Sequence, residues 1–187
     1  MEADTASTVE GSHESGGGGG RAEALTAWLL DATLLAGAEP SDTTLRTVLA
    51  DSVALFRHGP RIEGEALPSW YNEYEAIGYQ RLSTDSLWLL DALARFEGAS
   101  IMARDPLRLR WGEHRLRTAD GHRVSHPAVL GYRWPYCTVE DIAQFAVRAA
   151  DGNPEEPQHV IAAINCFINM CQLRGWVADD GTAPPSS

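Results

Sequence analysis

The sequence predicts a mainly α-helical single domain, a bundle-like arrangement of about six helices with a small antiparallel β-hairpin insert. Three observations carry this reading. Apolar residues recur at helical spacing through most of residues 21–174. The period switches to alternation only between Leu107 and Val124. The chain has 187 residues, 44% of them hydrophobic, which is enough for one core and leaves little for a second.

The domain is expected to span residues 21–178. Residues 1–20 hold four acids, no arginine and the run Gly16 to Gly20. Such a segment buries too little apolar surface to offset its ordering entropy, so it reads as a disordered, acidic, glycine-rich leader. Residues 179–187 read as a shorter flexible tail.

Within the domain, Leu25, Trp28, Leu29, Ala32 and Leu35 predict a first helix over 21–36, with Gly37 as its stop. A second begins at Ser41 or Asp42, aligns Leu45, Val48, Leu49, Val53 and Phe56, and ends at His58-Gly59-Pro60. A third is expected behind Ser69, carrying Trp70, Tyr71, Tyr74 and Ile77. Ser83 is the N-cap of a fourth, with Leu82 and Leu87 as a hydrophobic staple across it. That helix runs to about Phe96, and Gly98 closes it.

The β insert is placed near residues 106–126. Leu107 to Trp111 alternates, Gly112-Glu113 reads as a turn, and Asp120-Gly121 is a good tight-turn dipeptide. This predicts a hairpin or three-strand meander, and it sets Arg108 and Arg110 beside Arg115 and Arg117. Thr138 with Asp141 reads as a capping pair for the next helix, whose buried stripe is Ile142, Phe145, Ala146 and Ala149. Asn153-Pro154-Glu155-Glu156 starts the last helix, which runs to Arg174. Apolar residues nearly surround it, which predicts a central position.

Charge is distributed unevenly. The formal net charge is −11, and all fifteen basic residues are arginine, since the chain has no lysine. Every fixed cation is therefore a planar fork suited to carboxylate or phosphate. Residues 104–133 hold seven arginines, at 104, 108, 110, 115, 117, 123 and 133, against Asp105, Glu113 and Asp120, a local balance of +4. Like charges side by side on a sheet face repel, so a compensating anion is expected, supplied by the protein's own acids, by a partner or by phosphate. Arg108, Arg110, Arg115, Arg117, Arg123 and Arg133 are the candidate anion- or partner-binding residues.

Other constellations are weaker. Trp70, Tyr71 and Tyr74, and separately Tyr132, Trp134 and Tyr136, form two aromatic groups that line a pocket or partner surface or else pack in the core. His114, His122 and His126 stand near Glu113 and Asp120 without any zinc spacing. Cys137 stands before a helix, where a thiol pKa falls. Gln158, Asn165, Asn169 and Gln172 make an uncharged polar strip on the last helix. There is no Gly-rich phosphate loop, GxSxG or HExxH, and neither a metal nor a cofactor is expected.

Three helices followed by an arginine-rich hairpin resemble the order of a winged-helix DNA reader. The helix that would enter the groove carries Asp85, Asp91 and only Arg95, which counts against that fold. The three cysteines, odd in number and without CxxC spacing, point to reduced thiols in a cytoplasmic compartment. No stretch has the length and composition of a membrane span. The expected function is a non-enzymatic interaction or assembly module, binding another protein or copies of itself through the arginine hairpin. The alternatives are a small enzyme using His114, His122, Asp120 or Cys137, and a nucleic-acid-associated protein contacting phosphate.

Overall fold

A computed structural model describes residues 40–61, 64–73, 77–117 and 121–173. Its elements, in chain order, are α1 (Asp42–Ser52), α2 (Thr84–Met102), β1 (Arg110–Arg117), β2 (Arg123–Leu130), α3 (Thr138–Ala150) and α4 (Pro157–Leu173). The architecture is mainly α with one antiparallel hairpin. Four α-helices, not six, stand among the described residues. The helix expected over 21–36 lies outside the described residues.

α1 starts where the sequence places it, with the Ser41 hydroxyl accepting from the Thr44 amide at 3.2 Å. Leu45, Val48, Leu49 and Ser52 bury one face, and a 3-10 turn (Val53–Leu55) delivers Phe56 edge-on to Phe145 of α3, with ring centroids 6.2 Å apart.

Among the described residues between Ser69 and α2 no α-helix is formed, and a 3-10 turn (Tyr79–Arg81) leads directly into α2. Trp70 is buried, and its indole N–H donates to Asp91 of α2 at 2.8 Å. Tyr79 stands edge-on to Trp70 at 5.3 Å, and its hydroxyl donates to the Asn72 carbonyl at 3.1 Å. These aromatics plug the core from an irregular loop, and Gly78, at φ 91°, breaks any helical path. Tertiary bonds have overridden the helical spacing. Tyr74 lies outside the described residues.

α2 is the central helix, a correction to the position expected for the last one. Most of its 19 residues are buried, from Thr84 to Ile101. It passes through Gly98 without stopping, because that glycine makes room for Trp111: an added Cβ would lie 1.9 Å from the indole ring. Gly112 is likewise no turn. It sits inside β1, where a Cβ would come within 2.3 Å of Leu130. The insert is thus a plain two-stranded hairpin running Arg110↔Leu130 to Arg117↔Arg123, with Gly121 left-handed at φ 86° in the connection.

Trp111 and Val129, Cα partners, pack into the core at the hairpin base. Tyr136 extends the pairing: the Val129 amide donates to its carbonyl at 2.9 Å, and the Tyr136 amide donates to the Val129 carbonyl at 3.0 Å. α3 then packs along α2, burying Val139, Ile142, Ala143, Phe145 and Ala146. Its N-cap is Cys137, which makes no side-chain cap bond, so the Thr138–Asp141 capping pair is not formed. α4 begins at Pro157 and not behind Asn153, and buries a single stripe of Val160, Ile161, Ile164, Ile168 and Cys171. The proline-at-the-start rule holds there with the later proline.

Candidate functional site: the arginine hairpin

The hairpin sorts the arginines by strand parity. Since Arg110 to Arg117 is one continuous strand, Arg110 lies on the opposite face from Arg115 and Arg117. The single face that a turn at Gly112 would have made does not exist. One group, Arg108, Arg110 and Arg133, stands at the base beside Leu107, 97% exposed, and Trp134, 55% exposed. The other, Arg115, Arg117 and Arg123, stands at the tip. Along β1, Arg110 stands about 17 Å from Arg115 and about 23 Å from Arg117.

The two groups differ in their partners. Arg108 lies 4.0 Å from Asp105, and the Arg133 guanidinium sits 5.8 Å from the Trp134 ring centroid. Arg104 is fully engaged, donating to Asn165 at 2.8 Å and to Asp42. At the tip, Arg117 and Arg123 are direct cross-strand neighbours, and Arg115 faces Ser125. Glu113, one alternate position nearer the base, accepts from the Ser125 hydroxyl at 3.0 Å. Among the described residues no carboxylate lies within ion-pair distance of Arg110, Arg115, Arg117 or Arg123. Arg115, Arg117, Arg123 and Ser125, with Leu116 and Val124, line an open concavity of about 430 Å³.

The remaining candidates are scattered. His126 is fully buried on β2, with Nδ1 3.8 Å from Glu140 of α3. His114 is its Cα partner, while His122 is exposed near the tip. Cys137 is half-buried at the start of α3, far from that tip, and Asp120 lies outside the described residues. Among the described residues no three histidine, cysteine or acidic side chains converge on a metal position. Trp70 is core, Tyr71 is half-buried under the Arg61 guanidinium at 5.3 Å, and Tyr132 and Tyr136 are buried against Phe167. Of the five described candidates, Trp134 alone stands well exposed. Gln158, Asn169 and Gln172 are exposed on α4, whereas Asn165 holds Arg104.

One arrangement escaped the sequence reading. Glu97, in the middle of α2, is 0% exposed, and its Oε1 lies 3.3 Å from the Tyr136 hydroxyl. That hydroxyl also hydrogen-bonds Asp141 of α3. Burial, and then the charge of Asp141, push the Glu97 carboxyl well above its ordinary pKa. Burial raises Tyr136 well above its own, and raises Asp141 against the opposing pull of the tyrosine hydrogen bond. A glutamate in the mostly apolar stretch Leu89 to Ile101, which also carries Asp91 and Arg95, was the available signal. Its partner stands 39 positions away, beyond the reach of local spacing.

Among the described residues no helix is long and apolar enough to cross a membrane. Comparison of the chain with protein-family models, with curated proteins and with solved structures finds no match.

Proposed function

We propose that the protein is a non-enzymatic interaction module that presents the hairpin tip to an acidic surface, on another protein or on a second copy of itself. One observation carries this: Arg115, Arg117 and Arg123 share an exposed face, and no carboxylate of the described residues comes within ion-pair distance of them, in a chain whose net charge is −11. Guanidinium forks held side by side on a strand pair suit paired carboxylates. An acidic body carrying a basic projection also favours head-to-tail contact between copies, which salt screens.

The groove-reading alternative loses its central part, because the helix it requires is the buried α2. The test uses the full chain, a polyglutamate peptide and a DNA duplex as probes, and light scattering for self-association. The expected result is peptide binding, or association of copies, that weakens with salt and drops at least about tenfold in R115Q/R117Q/R123Q. The base triple R108Q/R110Q/R133Q loses less. Tighter binding of the duplex than of the peptide turns the reading toward nucleic acid. A monomer that ignores both probes at low salt sinks it.

A further inference from the structure

Tyr136 joins four elements. Its backbone is bonded in both directions to Val129 of β2, and its ring lies 4.9 Å from that of Phe167 of α4. Its hydroxyl reaches Glu97 of α2 and Asp141 of α3. Beside Trp111 and Val129, this side chain fastens the hairpin base to the helices.

The hydroxyl has one proton to donate and two carboxyl groups to serve. If it donates to Asp141, the Glu97 oxygen at 3.3 Å must carry its own proton to be a hydrogen-bond partner. If it donates to Glu97, Asp141 must carry one. In either arrangement two carboxyls and a phenol hold two protons, one more than ionised acids would hold. Glu97 is the stronger holder, being completely buried, whereas Asp141 is partly exposed. Glu97 Oε2 has no hydrogen-bond partner among the described residues.

Among the described residues no cation is paired with Glu97 or Asp141. Asp141 adds to burial in raising the Glu97 carboxyl, while the Tyr136 hydrogen bond pulls the other way without outweighing them. Asp141 in turn feels Glu140 beside it on α3 and Glu155 from the α3–α4 connection. His126 of β2 faces Glu140, and the Phe167 ring of α4 packs against Tyr136. Losing the shared proton therefore leaves a dry carboxylate opposite Asp141, with one O–H between two anions.

We propose that Glu97, Tyr136 and Asp141 form a proton-dependent latch that clamps the hairpin base to α2 and α3, and that deprotonation of Glu97 releases Tyr136 and loosens β2. The latch does not depend on what the arginine tip binds. It would couple the mobility of the hairpin to pH whatever the partner.

The experiment follows amide hydrogen exchange in the intact protein at Val129 and Tyr136, whose amides form the bridge itself, against amides of α2. The expected result is that, from about pH 6 to about pH 9, the two bridge amides lose at least about tenfold in protection beyond the chemical base-catalysed increase, while α2 does not. Glu97→Gln keeps a donor for the tyrosine oxygen but has no proton to lose, so its bridge protection stays independent of pH. The same loss in E97Q as in the parent protein, or equal loss across α2, overturns the proposal. A second measurement needs no variant. The Glu97 side-chain carboxyl carbon, followed by NMR, is expected to remain in its protonated position at neutral pH. Titration near the ordinary 4.5 overturns the latch by itself.

Discussion

The hairpin tip and the hairpin base handle like charges in opposite ways. At the tip, Arg117 and Arg123 are exposed strand neighbours, two guanidinium groups side by side in water. At the base, Glu97 and Asp141 share one hydroxyl, and the buried member keeps its proton instead. Dielectric decides between them. Two like charges about 4 Å apart cost about 1 kcal/mol in water but about 4 kcal/mol at the effective dielectric of a protein site. Water lets the tip hold its cations ready for an outside anion. In the dry base the cheaper course is to bind a proton.

The largest expected effect comes from breaking the base sterically. Gly98→Val places branches where the Trp111 ring sits, already 1.9 Å from an ideal Cβ. Trp111 must leave its seat, and the expected loss is about 3 kcal/mol or more in a urea melt. Gly121→Ala, in the connection near the tip, meets nothing within 4 Å and is strained only by its φ of +86°. It should cost about 1 kcal/mol. Equal losses at the two glycines would mean that the base is no more tightly packed than the tip.

These glycines also show what the sequence disclosed and what it hid. α1, α2, α3, α4 and a hairpin with an Asp-Gly connection were legible, because capping residues and apolar spacing are local signals. Gly98 and Gly112 were misread as punctuation. A glycine that ends an element and one that admits a neighbour look alike until the neighbour is known. Shifting Gly112 into the strand moved Arg110 to the other face and split the arginine cluster, so a single residue changed the candidate site. Trp70 misled for a similar reason: its helical spacing was real, but the bond to Asp91 was stronger.

A middle-sized effect belongs to the proton. Glu97 has a folded-state pKa raised above its unfolded value, so below the unfolded pKa it binds a proton in both states and pH has no leverage. As pH rises from there toward the folded pKa, the native state holds more protons than the unfolded chain, and stability falls. The slope is at most about 1.4 kcal/mol per pH unit. Denaturation midpoints in urea should decline across this window and level in E97Q, which should be more stable than the parent at neutral pH. Tyr136→Phe should lose about 1–3 kcal/mol while Glu97 holds its proton, from the carboxyl groups it leaves unserved, and less once the latch has opened. A flat profile in the parent protein would place Glu97 in a wetter setting than its burial indicates.

The smallest effect probes the other side of the comparison and is the most informative about function. Arg117→Gln removes one member of the tip pair, so it relieves repulsion with Arg123 instead of breaking a contact. Cross-strand pairs are worth about 0.2–1 kcal/mol, and exposure places this one at the low end. The variant should match or slightly exceed the parent in a urea melt at low salt. The difference should vanish near 1 M salt, where the screening length shrinks to about 3 Å. Arg104→Gln supplies the contrast, because Arg104 holds Asp42 and Asn165 and should lose stability when removed. If Arg117→Gln is instead destabilised by more than about 1 kcal/mol, that guanidinium serves an internal carboxylate. The tip would then be a structural feature, with no charge left over for a partner.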